Sequence, residues 1–251
     1  MIGKFLVRGL VAGFISGLFT FGFATMAGEP SVSRAIAFEQ SAATARGESP
    51  EPELVSRKTQ AGIGLFTAVV IYGTSIGGLF SLVFAYAHGR SGELSSQALS
   101  GYLALAAFVA IVVVPGIKYP ANPPAVGEPG TIAYRTELYF IMLLVSVAAM
   151  AFAVKLRSGL ERRIGAWNAS IGAGAVFASI IFAVTAVLPG INEVPAEFPA
   201  VLLWNFRIAA FGMHAVLWGG IGLLFGAMSA RLLSGTRISL HPRHVHARPI
   251  G

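Results

Sequence analysis

The sequence contains no cysteine and no aspartate. The first absence excludes disulfides, thiolate metal sites and cysteine nucleophiles. The second makes glutamate the only acid, with 11 copies. Charge of any sign is scarce: 12% of the 251 residues are charged, about half the ~25% of a soluble domain. The spacings of common catalytic sites are missing as well, with no H-E-x-x-H, no G-x-S-x-G and no Walker loop. The expectation is therefore a chain that is not an enzyme. Without an ATP site, any transport must be channel-like, driven by a gradient or coupled to another subunit.

What is present is apolar. Hydrophobic residues make up 55% of the chain, and mean hydropathy is +0.72. Six stretches, near 5–27, 62–87, 97–117, 132–154, 166–188 and 207–229, are long enough to cross a bilayer as helices. The expected fold is all-α: a polytopic helix bundle in one transmembrane domain over 1–232, then a basic tail over 233–251. Prolines avoid the middle of every span and gather in three loops: Pro30, Pro50 and Pro52, then Pro115 to Pro129, then Pro189 to Pro199.

The net charge of +7 does not point to nucleic acid, because the basic residues form no stripe. They sort by loop instead. Lys4, Arg8, Arg90, Lys155, Arg157, Arg162, Arg163 and the tail arginines fall on one side, which the positive-inside rule makes cytoplasmic. The other side collects most of the glutamates. Both termini are then expected inside a bacterial inner membrane. The first span, with Lys4, Arg8 and Ala24-Thr25-Met26-Ala27, also has signal-peptide traits. Its length and its ridge of Gly9, Gly13 and Gly17 favour a retained helix. Gly73 and Gly77, and Gly222 and Gly226, repeat that small-residue spacing.

The third and fifth spans end alike, as Val114-Pro115-Gly116-Ile117 and Leu188-Pro189-Gly190-Ile191. Each is followed by a helix opening on an aromatic–arginine pair, Tyr134-Arg135 or Phe206-Arg207. Such an echo is expected of a parallel two-helix repeat, as some transporters have. A coincidence of helix-ending Pro-Gly pairs is the plain alternative.

Few residues could carry chemistry inside the membrane. His214 lies seven positions past Arg207, about 10 Å deeper. It is the one His, Glu, Lys or Arg near mid-span, able to ligate a metal or relay a proton. A neutral imidazole bonded to a neighbouring helix is the plain reading. Glu29, Glu39, Glu128, Glu193 and Glu197 gather in the outer loops, where a carboxylate ring would concentrate cations. Glu39, Glu193, Glu197 and His214 are the metal-ligand candidates. Lys118, Tyr119, Asn122, Arg135, Glu137, Asn192 and Arg207 are expected to organise the mouth, with the arginines pairing to Glu137, Glu193 or Glu197. The tail histidines His241, His244 and His246 stand among arginines and suit anionic lipid better than a metal.

Three blocks, in order, resemble the CbtA family of proposed bacterial cobalt-transporter subunits. The longest is Val114-Pro115-Gly116-Ile117-Lys118-Tyr119-Pro120-Ala121-Asn122-Pro123-Pro124-Ala125-Val126-Gly127, continuing to Arg135-Thr136 and Leu138-Tyr139-Phe140. The second joins Leu188-Pro189-Gly190, Asn192-Glu193-Val194-Pro195 and Phe198-Pro199-Ala200 to Leu203-Trp204 and Phe206-Arg207. The third is Gly28-Glu29-Pro30 with Arg34-Ala35-Ile36-Ala37-Phe38-Glu39. The likeness covers about residues 5 to 230. It implies an inner-membrane protein that handles Co²⁺, linked to cobalamin supply, with a small His-bearing partner called CbtB. Related sequences often carry a His-rich first outer loop, whereas residues 41–50 here hold none.

The resulting expectation is a permease subunit for a divalent cation, cobalt by resemblance, in contact with lipid and a CbtB-like partner. Homo-oligomerisation stays open. The alternative is a membrane scaffold that docks partners without transporting. A transporter for an anion, read by Arg135 and Arg207, is a further rival.

Overall fold

The computed structural model describes residues 1–47, 54–90, 92 and 94–239, with side chains as far as Ser234. The histidines of the tail lie outside the described residues. Those residues form helices joined by loops and no strand. Five rods are long and apolar enough to cross a membrane. We name α1 Ile2–Ala45, α2 Arg57–Ala87 and α3 Ser96–Lys118. The fourth rod, Pro129–Val187, has 59 residues and would reach roughly 90 Å if straight, three bilayer cores. It is not straight. Gly165 adopts φ 79°, ψ 159°, a backbone state open to glycine and strained for other residues. This breaks the rod into α4 (132–164) and α5 (166–187). The last helix, α6, is Ala200–Ser234. Six apolar legs result.

Three helix lengths depart from the expectation; the sixth span, expected over 207–229, is the longer α6, Ala200–Ser234. The first span was read as ending at 27, yet α1 runs on to Ala45. At 1.5 Å per residue it is about 66 Å long, so its last third stands clear of a 30 Å apolar layer. Residues 155–164, read as a loop, continue α4 to Gly165. Hydropathy detects where polar residues begin, and a polar, alanine-bearing helix outside the membrane does not change the helical backbone.

Three helices carry one π-turn each: Ala24–Gly28 in α1, Gln60–Gly64 in α2 and Val109–Val113 in α3. In two of them the cause is visible. Pro30 and Pro115 stand two residues past a π-turn. A proline inside a helix lacks the N–H for the carbonyl four residues back and clashes with it. Widening the preceding turn relieves both problems without ending the helix.

The core is α1, α2, α3 and α6. Between apolar helices in lipid, close van der Waals packing takes over from the hydrophobic effect. Small residues permit it here. A Cβ added at Gly13 would lie 2.2 Å from the carbonyl oxygen of Gly73, and one at Gly77 2.2 Å from that of Gly9. On the other side, Gly222 and Gly226 admit Ala104 and Ser100 of α3. The Ser100 hydroxyl donates to the Gly222 carbonyl at 2.7 Å. Toward the start of α1 and the end of α6, which we call the terminal end of the bundle, the centre is filled by Phe5, Phe80, Phe84, Leu217, Trp218, Ile221 and Phe225. Phe84 meets Phe225 edge to face at 4.9 Å. The α4–α5 hairpin sits outside this core. It folds back on itself around Gly165, and the Arg157 Nε donates to the Ser170 hydroxyl at 2.9 Å across the turn.

Candidate functional site

At the end of the bundle away from Ile2 and Ser234, residues 28–47, 119–131 and 188–203 form a cap. Its small core is Ala35, Val126, Phe198 and Leu202, with Phe38 packed edge to face on Phe198 at 5.1 Å. Each of the three sequence blocks described above contributes to it. Segments more than 50 residues apart in sequence are thus held as one body.

Polar contacts clamp that body to the bundle. Glu193 is the hub. Its carboxylate accepts from the Glu128 backbone N–H at 2.8 Å and the Thr131 hydroxyl at 2.7 Å. It pairs with the Arg135 Nε at 3.3 Å. These donors, the backbone N–H foremost, hold its pKa below the ordinary carboxylate value. Arg207 donates instead to neutral oxygens, Asn122 Oδ1 at 2.9 Å and the Ala121 carbonyl at 3.3 Å. Lys118 donates to the Thr185 carbonyl at 2.9 Å, and the Tyr119 hydroxyl to that of Pro189 at 2.8 Å. The two arginines therefore reach across reciprocally. Arg135 grips the loop after α5, and Arg207 grips the loop after α3. A further ion pair, Arg57 with Glu29, ties α2 to α1.

The other candidate carboxylates are placed differently. Glu39, Glu128, Glu137 and Glu197 are exposed. Glu39 and Glu197 each adjoin a member of the Phe38–Phe198 contact, so both edge the same patch of the cap. Asn192 is exposed as well. Arg135 pairs with Glu193, and neither arginine pairs with Glu137 or Glu197 among the described residues.

Beneath the cap lies a cavity of about 370 Å³ between α1, α2 and α6. Thr20, Ala68, Val69, Tyr72, Met213, His214 and Leu217 line it. The His214 ring meets Tyr72 edge-on, with centroids 6.4 Å apart. The π-turn of α1 borders this level, since a Cβ on Gly28 would come within 3.8 Å of the Met213 sulfur. So does the start of the α3 π-turn, through Phe108 against Phe211 at 5.1 Å. Toward the termini the seam passes Ser16 Oγ and Trp218 Nε1, both buried with no hydrogen-bond partner among the described residues. It then closes on the Phe80–Phe84–Phe225 cluster.

The structure does not bring Glu39, Glu193, Glu197 and His214 together. Among the described residues no three His, Cys, Asp or Glu side chains lie close enough to share an ion. Sequence reasoning singles out His214 but not Thr20 or Tyr72, its neighbours in the cavity. Met213 was legible as its chain neighbour. Thr20 and Tyr72 lie on other helices, and their only signal was a polar group within an apolar run.

Neither a curated protein sequence nor a solved structure matches the chain. A family described as "probable cobalt transporter subunit (CbtA)" matches residues 2–230, which takes in the cap, the cavity and all six legs. A subunit of a transporter has partner subunits, and five rods of membrane-crossing length fit such a role. The chain belongs to the CbtA family.

Proposed function

We propose that this chain is the membrane-embedded permease subunit for a divalent cation, Co²⁺ being the cargo that its family's description supports. The cap lies on the outer side of a bacterial inner membrane and both termini in the cytoplasm, as the basic residues of the terminal end favour. The carrying observation is that His214 faces a cavity in the α1–α2–α6 seam instead of a neighbouring backbone. An imidazole nitrogen there, beside a thioether from Met213 and hydroxyls from Thr20 and Tyr72, suits a late first-row cation better than Mg²⁺ or Ca²⁺.

The exposed carboxylates of Glu39, Glu128, Glu137 and Glu197 raise the local cation concentration at the rim. Glu193 acts as a strut, because its oxygens are engaged by donors of the cap. One imidazole does not make a complete coordination shell. The remaining ligands come from water or from a small membrane partner of the CbtB type. The cargo exchanges ligands, water for imidazole, and its oxidation state does not change in this reading. A non-transporting docking subunit is the rival, with the exposed carboxylates of the cap as its docking surface.

Uptake of radioactive Co²⁺ by cells expressing the chain, with and without the small partner, decides between them. His214→Ala should lower uptake about tenfold or more, since removing even the hydrogen-bond partner of a metal ligand costs about 10–100-fold. Unchanged uptake in that variant removes His214 from the path. No cobalt flux from any combination, together with a stably copurifying partner, establishes the docking role.

A further inference from the structure

We propose that the groove between α1 and α6 at the terminal end of the bundle binds an anionic phospholipid. The groove has a volume of about 330 Å³ and is lined by Val7, Arg8, Val11, Met228 and Arg231. Its floor faces the membrane. The opposite side of α1 is committed to α2 through Gly9 and Gly13, which leaves Val7 and Val11 59% and 42% exposed. An acyl chain covers such a floor.

The charges complete the match. Arg8 donates one guanidinium N–H to the Lys4 carbonyl at 2.9 Å. Reaching back one turn toward the N-terminus carries its charge out of the apolar layer to headgroup level, as long basic side chains near helix ends do. No carboxylate lines the groove. Arg57, Arg135 and Arg157 each pair with a glutamate, whereas neither Arg8 nor Arg231 has such a partner among the described residues. Arginine recognises phosphate oxygens through paired N–H donors. Two uncompensated guanidiniums above an apolar floor therefore fit a phosphodiester with its chains attached. A zwitterionic headgroup brings its own cation and fits less well. The site is independent of whether the protein carries cobalt.

Native mass spectrometry of the purified full chain tests the proposal, with dioleoyl phosphatidylglycerol, dioleoyl phosphatidylcholine or inorganic phosphate added. Phosphatidylglycerol should be retained in preference to phosphatidylcholine, with each arginine contributing about fivefold. The R8Q/R231Q double variant should lose that preference, and R8K/R231K should keep most of it. R162Q/R163Q, an equal loss of charge on exposed residues of α4, should leave it intact. Val11→Trp fills the floor while keeping both arginines and should lower lipid retention. Equal preference in R8Q/R231Q, equal loss in R162Q/R163Q, or unchanged retention in Val11→Trp overturns the assignment. Displacement of the lipid by inorganic phosphate would show that a free anion suffices and would overturn the lipid site in favour of a phosphate site.

Discussion

Among individual residues, Glu193 shows how one carboxylate can organise loops that are far apart in sequence. It binds Glu128, Thr131 and Arg135 at once, and its side chain keeps only 16% exposure. Charge-assisted bonds of this kind are stronger than neutral ones. Because folding lowers its pKa below 4.5, the folded cap favours the deprotonated form. Its stabilising effect is complete above that ordinary value and is lost as pH falls through the lowered one. Thermal melts of the purified protein should therefore shift downward on acidification below about pH 4.5. Glu193→Gln should melt lower at neutral pH and lose part of that acid dependence. An unaltered acid limb in the variant would assign the effect to another carboxylate. Glu39→Gln with Glu197→Gln should leave the melt unchanged, since both side chains are exposed, and should instead weaken cobalt uptake at low cobalt concentration. Sequence spacing grouped Glu193 with Glu39 and Glu197 as one acidic rim. What separates them is which donors the fold brings to each, across 62 residues in the case of Thr131, and no local pattern encodes that.

For the helices, much of the architecture was legible because glycine spacing is a direct record of close approach. The ridge of Gly9, Gly13 and Gly17 meets Gly73 and Gly77, and the Gly222–Gly226 pair meets α3, as small-residue spacing implies. Substituting Gly77 by alanine places a methyl 2.2 Å from the Gly9 carbonyl oxygen and 2.7 Å from Gly13 Cα. Backbone cannot rotate away, so α1 and α2 must separate. Overpacking of this kind costs about 1–3 kcal/mol, and at 2–4 °C per kcal/mol the melting temperature should fall by roughly 2–12 °C. Gly101→Ala, with nothing within 4 Å of the new methyl, is the control and should not lower it. Less legible were the helix ends. The arm of α1 beyond residue 27 and the extension of α4 to Gly165 lie outside the apolar windows, where helix-forming sequence continues without a hydropathy signal. The π-turns were hidden too, although Pro30 and Pro115 mark two of them in hindsight through the clash that a proline imposes on the preceding turn.

Taken as a whole, the molecule is open and closed at different levels of one seam. The His214 cavity lies beneath the cap, with π-turns of α1 and α3 beside it, and the seam below is shut by aromatic packing. Phe84, Ile221 and Phe225 are fully buried there, and Phe5 closes the end against Phe84 at 5.3 Å. An ion that reached His214 would therefore meet an apolar barrier on the side of Phe5 and Phe84, and such constrictions stop ions by excluding water. Passage of an ion would require this aromatic plug to open. The plug can be tested directly. Phe225→Ala removes the ring that touches Phe5, Phe80 and Phe84 and should destabilise the protein by about 3–5 kcal/mol. In liposomes it should also raise Co²⁺ permeation several-fold without the partner subunit, because water would enter the space vacated. A core substitution that only loosened the fold would behave otherwise: Met142→Ala, in a fully buried position on α4 outside the seam, should lower stability without opening a path. If both variants leak equally, the aromatic cluster is packing alone and the barrier lies elsewhere along the seam.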